Sequence, residues 1–141
     1  FQQTGDNVIF ETSLHRATGT VAPTSTVTMP ESFEIEEHED KPSRSTGFTV
    51  RWSEPTVDPM WLTLESAGCL NDPIEVEVLS PMDGSQFLRP ELLATSDLIV
   101  GDICVIYVEL FRRVEGELDS AYGNGNIVGQ QWAELNVATQ P

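Results

Sequence analysis

Two cysteines, Cys69 and Cys104, have the most definite chemistry in this sequence of 141 residues. The sequence contains no Cys-x-x-Cys pair, so the spacing excludes a thiol redox motif and a zinc knuckle. A bond between them would close a loop of about 35 residues and stabilise the fold by roughly 3–4 kcal/mol on the chain-entropy model. The alternative is a pair of buried free thiols, which are common in protein cores. We expect the disulfide, because the rest of the chain indicates an exported protein.

The other reactive side chains form only weak constellations. The histidines are His15 and His38, and no Gly-x-Ser-x-Gly nucleophile elbow accompanies them. His38 lies within an acidic run that is more typical of a solvated loop than of a metal site. We therefore predict a chain that is not an enzyme, with no catalytic residue and no cofactor. Calcium is a weak alternative, because four aspartates lie in predicted turns: Asp58, Asp72, Asp83 and Asp102.

Three aromatic side chains suggest a binding surface. Trp61 and Trp132 fall on strand faces opposite their inward neighbours, so their rings, together with that of Tyr107, are candidates for stacking on a sugar. The alternative is that these rings pack beneath a loop or at a sheet edge. Trp52 alternates with Val50 and is assigned to the core.

These side chains must be positioned by β-strands. Phe48, Val50 and Trp52 alternate with polar residues, as do Ile74, Val76 and Val78, and this is the period of half-buried strands. The apolar run 103–111 predicts a central strand, and 127–137 a final strand. Pro90–Thr95 is the one helical candidate. The pattern predicts an all-β antiparallel sandwich of seven or eight short strands with one helical turn.

The N-terminal residues 1–30 form a separate prediction. Val8, Ile9 and Phe10 are a short apolar piece ahead of a Thr/Ser/Pro-rich stretch, and the strands within 31–141 already suffice for a sandwich. A detached strand seeks a sheet edge. This strand either adds to a neighbouring subunit, giving an assembly module, or pairs within its own domain.

The segments Gly47–Trp52 and Asp83–Leu93, together with the final strands, resemble immunoglobulin-like sandwich domains in secreted lipoproteins and surface proteins of myxobacteria and similar bacteria. The resemblance spans about residues 30 to 138 and implies little about function. One departure is clear: no cysteine precedes Trp52, so a Cys69–Cys104 bond differs from the inter-sheet bond of an antibody domain.

The charge narrows the choice of partner. With 23 acidic residues against 7 basic ones, the net charge is -16, which argues against nucleic acid, and no apolar run is long enough to insert in a membrane. We therefore predict a non-catalytic module, located extracellularly, at the cell surface or in a periplasm, that works by contact with a protein partner or by self-association. A carbohydrate-binding module is the main alternative, and a hydrolase accessory domain is a weaker one.

Overall fold

The computed structural model describes residues 8–14, 17–18, 22–36, 40–66, 69–70, 73–79, 81–93 and 103–141. Within these ranges the chain forms β-strands joined by loops and short 3₁₀ turns, which confirms the all-β prediction. The strands are β1 (Ile9–Leu14), β2 (Ala22–Thr28), β3 (Phe48–Arg51), β4 (Met60–Ser66), β5 (Ile74–Val78), β6 (Ser85–Leu88), β7 (Cys104–Glu115) and β8 (Val128–Thr139).

The strands form a large sheet and two small ones. Four strands pair antiparallel in the order β5-β4-β7-β8, with β7 in the centre as its long apolar sequence predicted. β3 pairs with β6, and β1 pairs with β2. The inward side chains of the large sheet and of the β3–β6 sheet share one hydrophobic core. This two-sheet arrangement is sandwich-like, as the strand pattern predicted.

Side-chain alternation decides which residues enter that core. Phe48, Val50 and Trp52 are all buried, and so are Leu62 and Leu64 on β4. Successive side chains of a strand point to opposite faces, so the residues between them face outward. The period of two read from the sequence therefore places the core correctly.

The segment before β3 is less regular than its alternating sequence suggests. Ile35 makes an isolated bridge with Trp52, flanked by hydrogen bonds from Glu36 N to Arg51 O and from Ser53 N to Glu34 O. Through these contacts the segment lies beside the edge of β3 that is not paired with β6, but it does not form a full strand. Its apolar residues still pack on the core, since Phe33 is buried there and Ile35 is partly buried against it.

The predicted helical turn is a 3₁₀ turn at Pro90–Leu93, and Ala94 and Thr95 lie outside the described residues. Two further 3₁₀ turns are present, at Pro81–Asp83 and Ser120–Tyr122. The second lies in the connection from β7 to β8, where Asp119 caps the turn by accepting a hydrogen bond from Ala121 N at 2.8 Å.

The apolar N-terminal strand pairs within its own chain. β1 lies antiparallel to β2 with Ile9 opposite Thr28 and Phe10 opposite Val27, and Met29 N donates to Val8 O. β2 is fastened to the segment after β7 by paired backbone hydrogen bonds between Thr26 and Glu117, at 2.9 and 2.8 Å. Within the described residues, the other edge of β1 has no strand partner.

Cys69 and Cys104 are bonded, as the sequence predicted, with Cα atoms 5.9 Å apart. Cys104 is the first residue of β7, and Cys69 follows β4, the strand beside it. The bond therefore ties the end of β4 to the start of its neighbour within one sheet. That placement agrees with the expected departure from the inter-sheet bond of antibody domains.

Candidate binding face

The four-stranded sheet has one face in the core and one face away from it, here called the outer face. The outer face is built by the residues that alternate with the core residues on β4, β5, β7 and β8. Strand register decides which of these side chains become neighbours, because residues directly opposite in an antiparallel pair have Cβ atoms about 5 Å apart.

An aromatic row crosses the outer face perpendicular to the strands. Trp61 on β4 lies opposite Phe111 on β7, and Phe111 lies opposite Trp132 on β8. The Trp61 and Phe111 rings are stacked, with centroids 6.1 Å apart and planes at 12°. Trp132 ends the row with 55% of its surface exposed. The row therefore runs from a packed pair of rings to an open one.

Arg113 lies over the packed end of this row. Its guanidinium carbon is 4.5 Å from the Phe111 ring centroid and 5.2 Å from that of Trp61. Its Nε donates to Gln130 Oε1 at 3.1 Å, so the side chain is held from the neighbouring strand as well. Stacking on two rings fixes the cation in place and covers Phe111.

Two grooves meet at Arg113. The Trp132 groove, of about 380 Å³, has an aromatic wall together with hydroxyl, amide and carboxylate groups. The Trp61 groove, of about 440 Å³, lies on the other side of Arg113 next to the β7–β8 connection. Thr63, Glu75, Glu109, Phe111, Arg113, Gln130 and Trp132 line the first; Asp58, Pro59, Trp61, Arg113, Val114, Glu115, Asn126 and Val128 line the second.

Carboxylates occupy the row next to the aromatic one. Glu109 on β7 lies directly opposite Glu134 on β8, and Thr63 separates Glu109 from Glu75 across β4 and β5. Like charges directly opposite in a sheet destabilise it. The outer face thus places repelling carboxylates beside an exposed indole.

The predicted sugar-stacking residues all lie on this face but differ in exposure. Trp132 and Tyr107 are exposed, at 55% and 43%, whereas Trp61 is half-buried under Arg113. Tyr107 lies toward the other end of β7, opposite Asn136. Trp132 is therefore the most accessible of the three predicted rings.

No protein-family model matches this sequence, and no curated protein or solved structure matches it either. The face must therefore be interpreted from its own chemistry.

The two weak calcium candidates in the described part of the chain, Asp58 and Asp83, do not converge. Asp58 precedes β4 and lines the Trp61 groove, whereas Asp83 is exposed in the 3₁₀ turn before β6. Across the described ranges, no group of three or more potential ligands could hold a metal ion. Asp72, Asp102, His15 and His38 lie outside the described residues. Among the described residues, no helix has the length and apolar character needed to cross a bilayer.

Sequence reasoning missed Phe111 and Arg113. Both alternate in phase with Tyr107 along β7, and this period places them on the outer face. Their phase was readable from the sequence. The partner strands that bring Trp61 and Trp132 beside them were not, because that requires the register of β4 and β8 against β7.

Proposed function

We propose that this domain is a non-catalytic binding module that contacts a protein partner through its outer face. The observation that carries the proposal is a set of large apolar side chains left exposed along β7 and β8. Five of the ten exposed large hydrophobic side chains in the described residues lie along this one face, and such a concentration marks an interaction surface. They are exposed by 38% to 56% and comprise Ile103, Val105, Tyr107, Val128 and Trp132.

The make-up of this face supports a protein contact. Tryptophan, tyrosine and arginine are the residue types enriched among the energetically dominant positions of protein interfaces. Trp132, Tyr107 and Arg113 lie on the outer face, and Arg113 is held in one orientation by its stacking and by Gln130. A side chain ordered before binding loses less entropy when the partner arrives.

We place the domain outside the cytoplasm, at the cell surface or in a periplasm. The Cys69–Cys104 bond supports this, because structural disulfides persist in oxidising compartments. The net charge of -16 is compatible with a surface-exposed role, since high charge of one sign keeps a domain soluble.

We further propose that the sandwich is immunoglobulin-like. Two observations on strand order support this. The order β5-β4-β7-β8 groups one hairpin from the middle of the chain with one from its end, and β3–β6 forms the opposing layer with residues 34–36 alongside. Immunoglobulin-type sandwiches divide their strands between two sheets in this way.

Glycan binding is the second candidate function, and the Trp132 groove favours it. An exposed indole beside the Thr63 hydroxyl, the Gln130 amide and carboxylates can stack on a sugar ring while hydrogen bonding to its hydroxyl groups. Both candidates use the same face and depend on Trp132. The class of ligand that binds, peptide or glycan, therefore distinguishes them.

The test is selection of a random peptide display library on the intact chain, run beside a glycan array. Under the protein-contact proposal, peptides are enriched and lose binding by about tenfold or more on Trp132→Ala, as expected for an interface tryptophan. The matched control is Phe87→Ala, because Phe87 is 48% exposed but lies on β6 in the other sheet. Peptides that bind equally to both variants contradict the proposal. Glycans that bind and are lost on Trp132→Ala replace it with the second candidate.

A further inference from the structure

We infer that the partner is cationic, and that a lysine or arginine side chain of an extended protein segment enters the Trp132 groove between the Trp132 ring and the row of carboxylates. This inference rests on the proposed function and names the chemistry of its ligand.

The charge of the outer face supports this choice. Arg113 carries the one guanidinium that faces outward from the four strands of this sheet. Each of these strands, in contrast, carries at least one exposed carboxylate on the outer face. These carboxylates belong to Glu65, Glu75, Glu77, Glu109, Glu115 and Glu134. A partner with basic groups is complementary to such a surface, and its approach is accelerated by the field.

The position of Trp132 supports a single cation site within that field. Tryptophan is the best aromatic acceptor for a cation, and Arg113 already stacks in this way on Phe111 and Trp61. Among the described residues no arginine lies over the Trp132 ring. A cation seated there would also lie near the opposed pair Glu109 and Glu134 and offset their repulsion.

The dimensions of the face favour a chain segment over a broad interface. From Ile103 to Glu115 the face is about 40 Å long, and it is at most about 14 Å wide from β5 to β8, so it offers on the order of 500 Å². A standard interface buries about 800 Å² on each partner. An extended basic segment lying along the strands matches this area.

A second copy of the chain does not fit as the occupant. A two-fold contact brings the same patch of both copies together, so two surfaces that each carry six outward glutamates and one arginine would face each other. Like-charge juxtaposition across an interface is strongly unfavourable. Charge of the same sign also disfavours anionic glycans.

The experiment titrates the intact chain with a synthetic peptide of alternating arginine and glycine, and with its lysine and glutamate counterparts. We expect both basic peptides to bind with quenching of indole fluorescence, and the glutamate peptide not to bind. Trp132→Ala and the double variant Glu109→Gln/Glu134→Gln should each weaken binding by about tenfold at low salt. Raising the salt should reduce binding of the native chain more than that of the double variant.

The controls remove equal charge or equal aromatic surface elsewhere. Glu36→Gln/Glu91→Gln changes the net charge by the same amount at exposed sites off the outer face, and Phe87→Ala removes an exposed ring from β6. Both should bind the basic peptides like the native chain. Equal weakening by the two double variants would show general attraction to an acidic protein and overturn the inference, as would failure of the basic peptides to bind. Enrichment of uncharged peptides that depend on Trp132 would leave the proposed function standing and overturn this inference alone.

Discussion

Arg112 is a charged residue whose side chain is buried beneath the four-stranded sheet. It lies on the inward face of β7, two positions after Leu110, and is 0% exposed. Its Nη1 donates to Glu31 O at 3.0 Å, its Nη2 donates to Glu54 O at 2.6 Å, and its guanidinium carbon is 4.9 Å from the Phe33 ring centroid. One side chain therefore joins three separate parts of the chain: β7, the segment before β3, and the β3–β4 connection.

Arg112→Met tests that role. Methionine retains an apolar side chain of similar length but loses the hydrogen bonds to Glu31 O and Glu54 O, and bonds that involve a charged group contribute about 1.5–3 kcal/mol each. We expect the free energy of unfolding to fall by on the order of 3 kcal/mol, measured by urea denaturation. Arg51→Met, at an exposed position of β3, is the matched control and should change stability by about 0.5 kcal/mol or less. Similar losses in the two variants would show that Arg112 does not anchor these segments.

At the scale of elements, the β1–β2 pair docks on the large sheet through β2, beside the end of β7. Gly116 follows β7 directly, and a Cβ at this position would overlap the Thr26 carbonyl oxygen and lie 2.7 Å from Val27 Cβ. The absence of a side chain lets β2 approach closely enough for the Thr26–Glu117 backbone pair to form. Ser25, which is fully buried, extends the joint by accepting a hydrogen bond from Asp119 N at 2.9 Å.

Gly116→Ala should therefore detach the hairpin. The added methyl meets backbone atoms that cannot rotate away, and such overpacking costs about 1–3 kcal/mol. We expect faster hydrogen exchange at the Thr26 amide together with a loss of stability in that range. Glu117→Ala is the control, because both bonds of Glu117 to Thr26 are made by its backbone and survive removal of the side chain. Unchanged exchange at Thr26 in Gly116→Ala would mean that β2 does not depend on this close approach.

At the scale of the whole molecule, the Cys69–Cys104 disulfide cross-links the described chain. The two cysteines are separated by 35 positions in the sequence. Closing a loop of that length restricts the unfolded chain by roughly 3–4 kcal/mol. We expect the Cys69→Ala/Cys104→Ala variant to lose about that much stability relative to the native oxidised chain. Mass spectrometry of the native chain should show no alkylation until the protein is reduced. Alkylation of both thiols without reduction would contradict the disulfide.

The pairing of β1 within the molecule also affects the predicted addition of Val8, Ile9 and Phe10 to a neighbouring subunit. The strand that they begin is paired with β2, and β2 is fastened to the residues after β7. This is the in-domain pairing that the sequence left as an alternative. Addition to a neighbouring subunit would have to use the other edge of β1 or release the hairpin from Glu117.

The sequence by itself determined which face of β3 and of β8 is buried. Phe48, Val50 and Trp52 are inward, and Trp132, Glu134 and Asn136 outward, because a strand has a period of two and a hydrophobic core admits one phase of it. The sequence also predicted the disulfide, because a domain of exported type with two cysteines allows one intramolecular pairing.

Only the tertiary structure decided which residues meet. Trp61, Phe111 and Trp132 form one row because the antiparallel registers of β4, β7 and β8 align them, and register depends on turn lengths and core packing far from the row. Arg112 is buried although its neighbour Arg113 faces outward, since its donors meet backbone oxygens that the folded chain brings together. The partner of β1 was undecided for the same physical reason, because an edge strand carries no sequence signal for the strand that it joins. In the structure β1 joins β2, and the close approach at Gly116 lets β2 dock beside the end of β7.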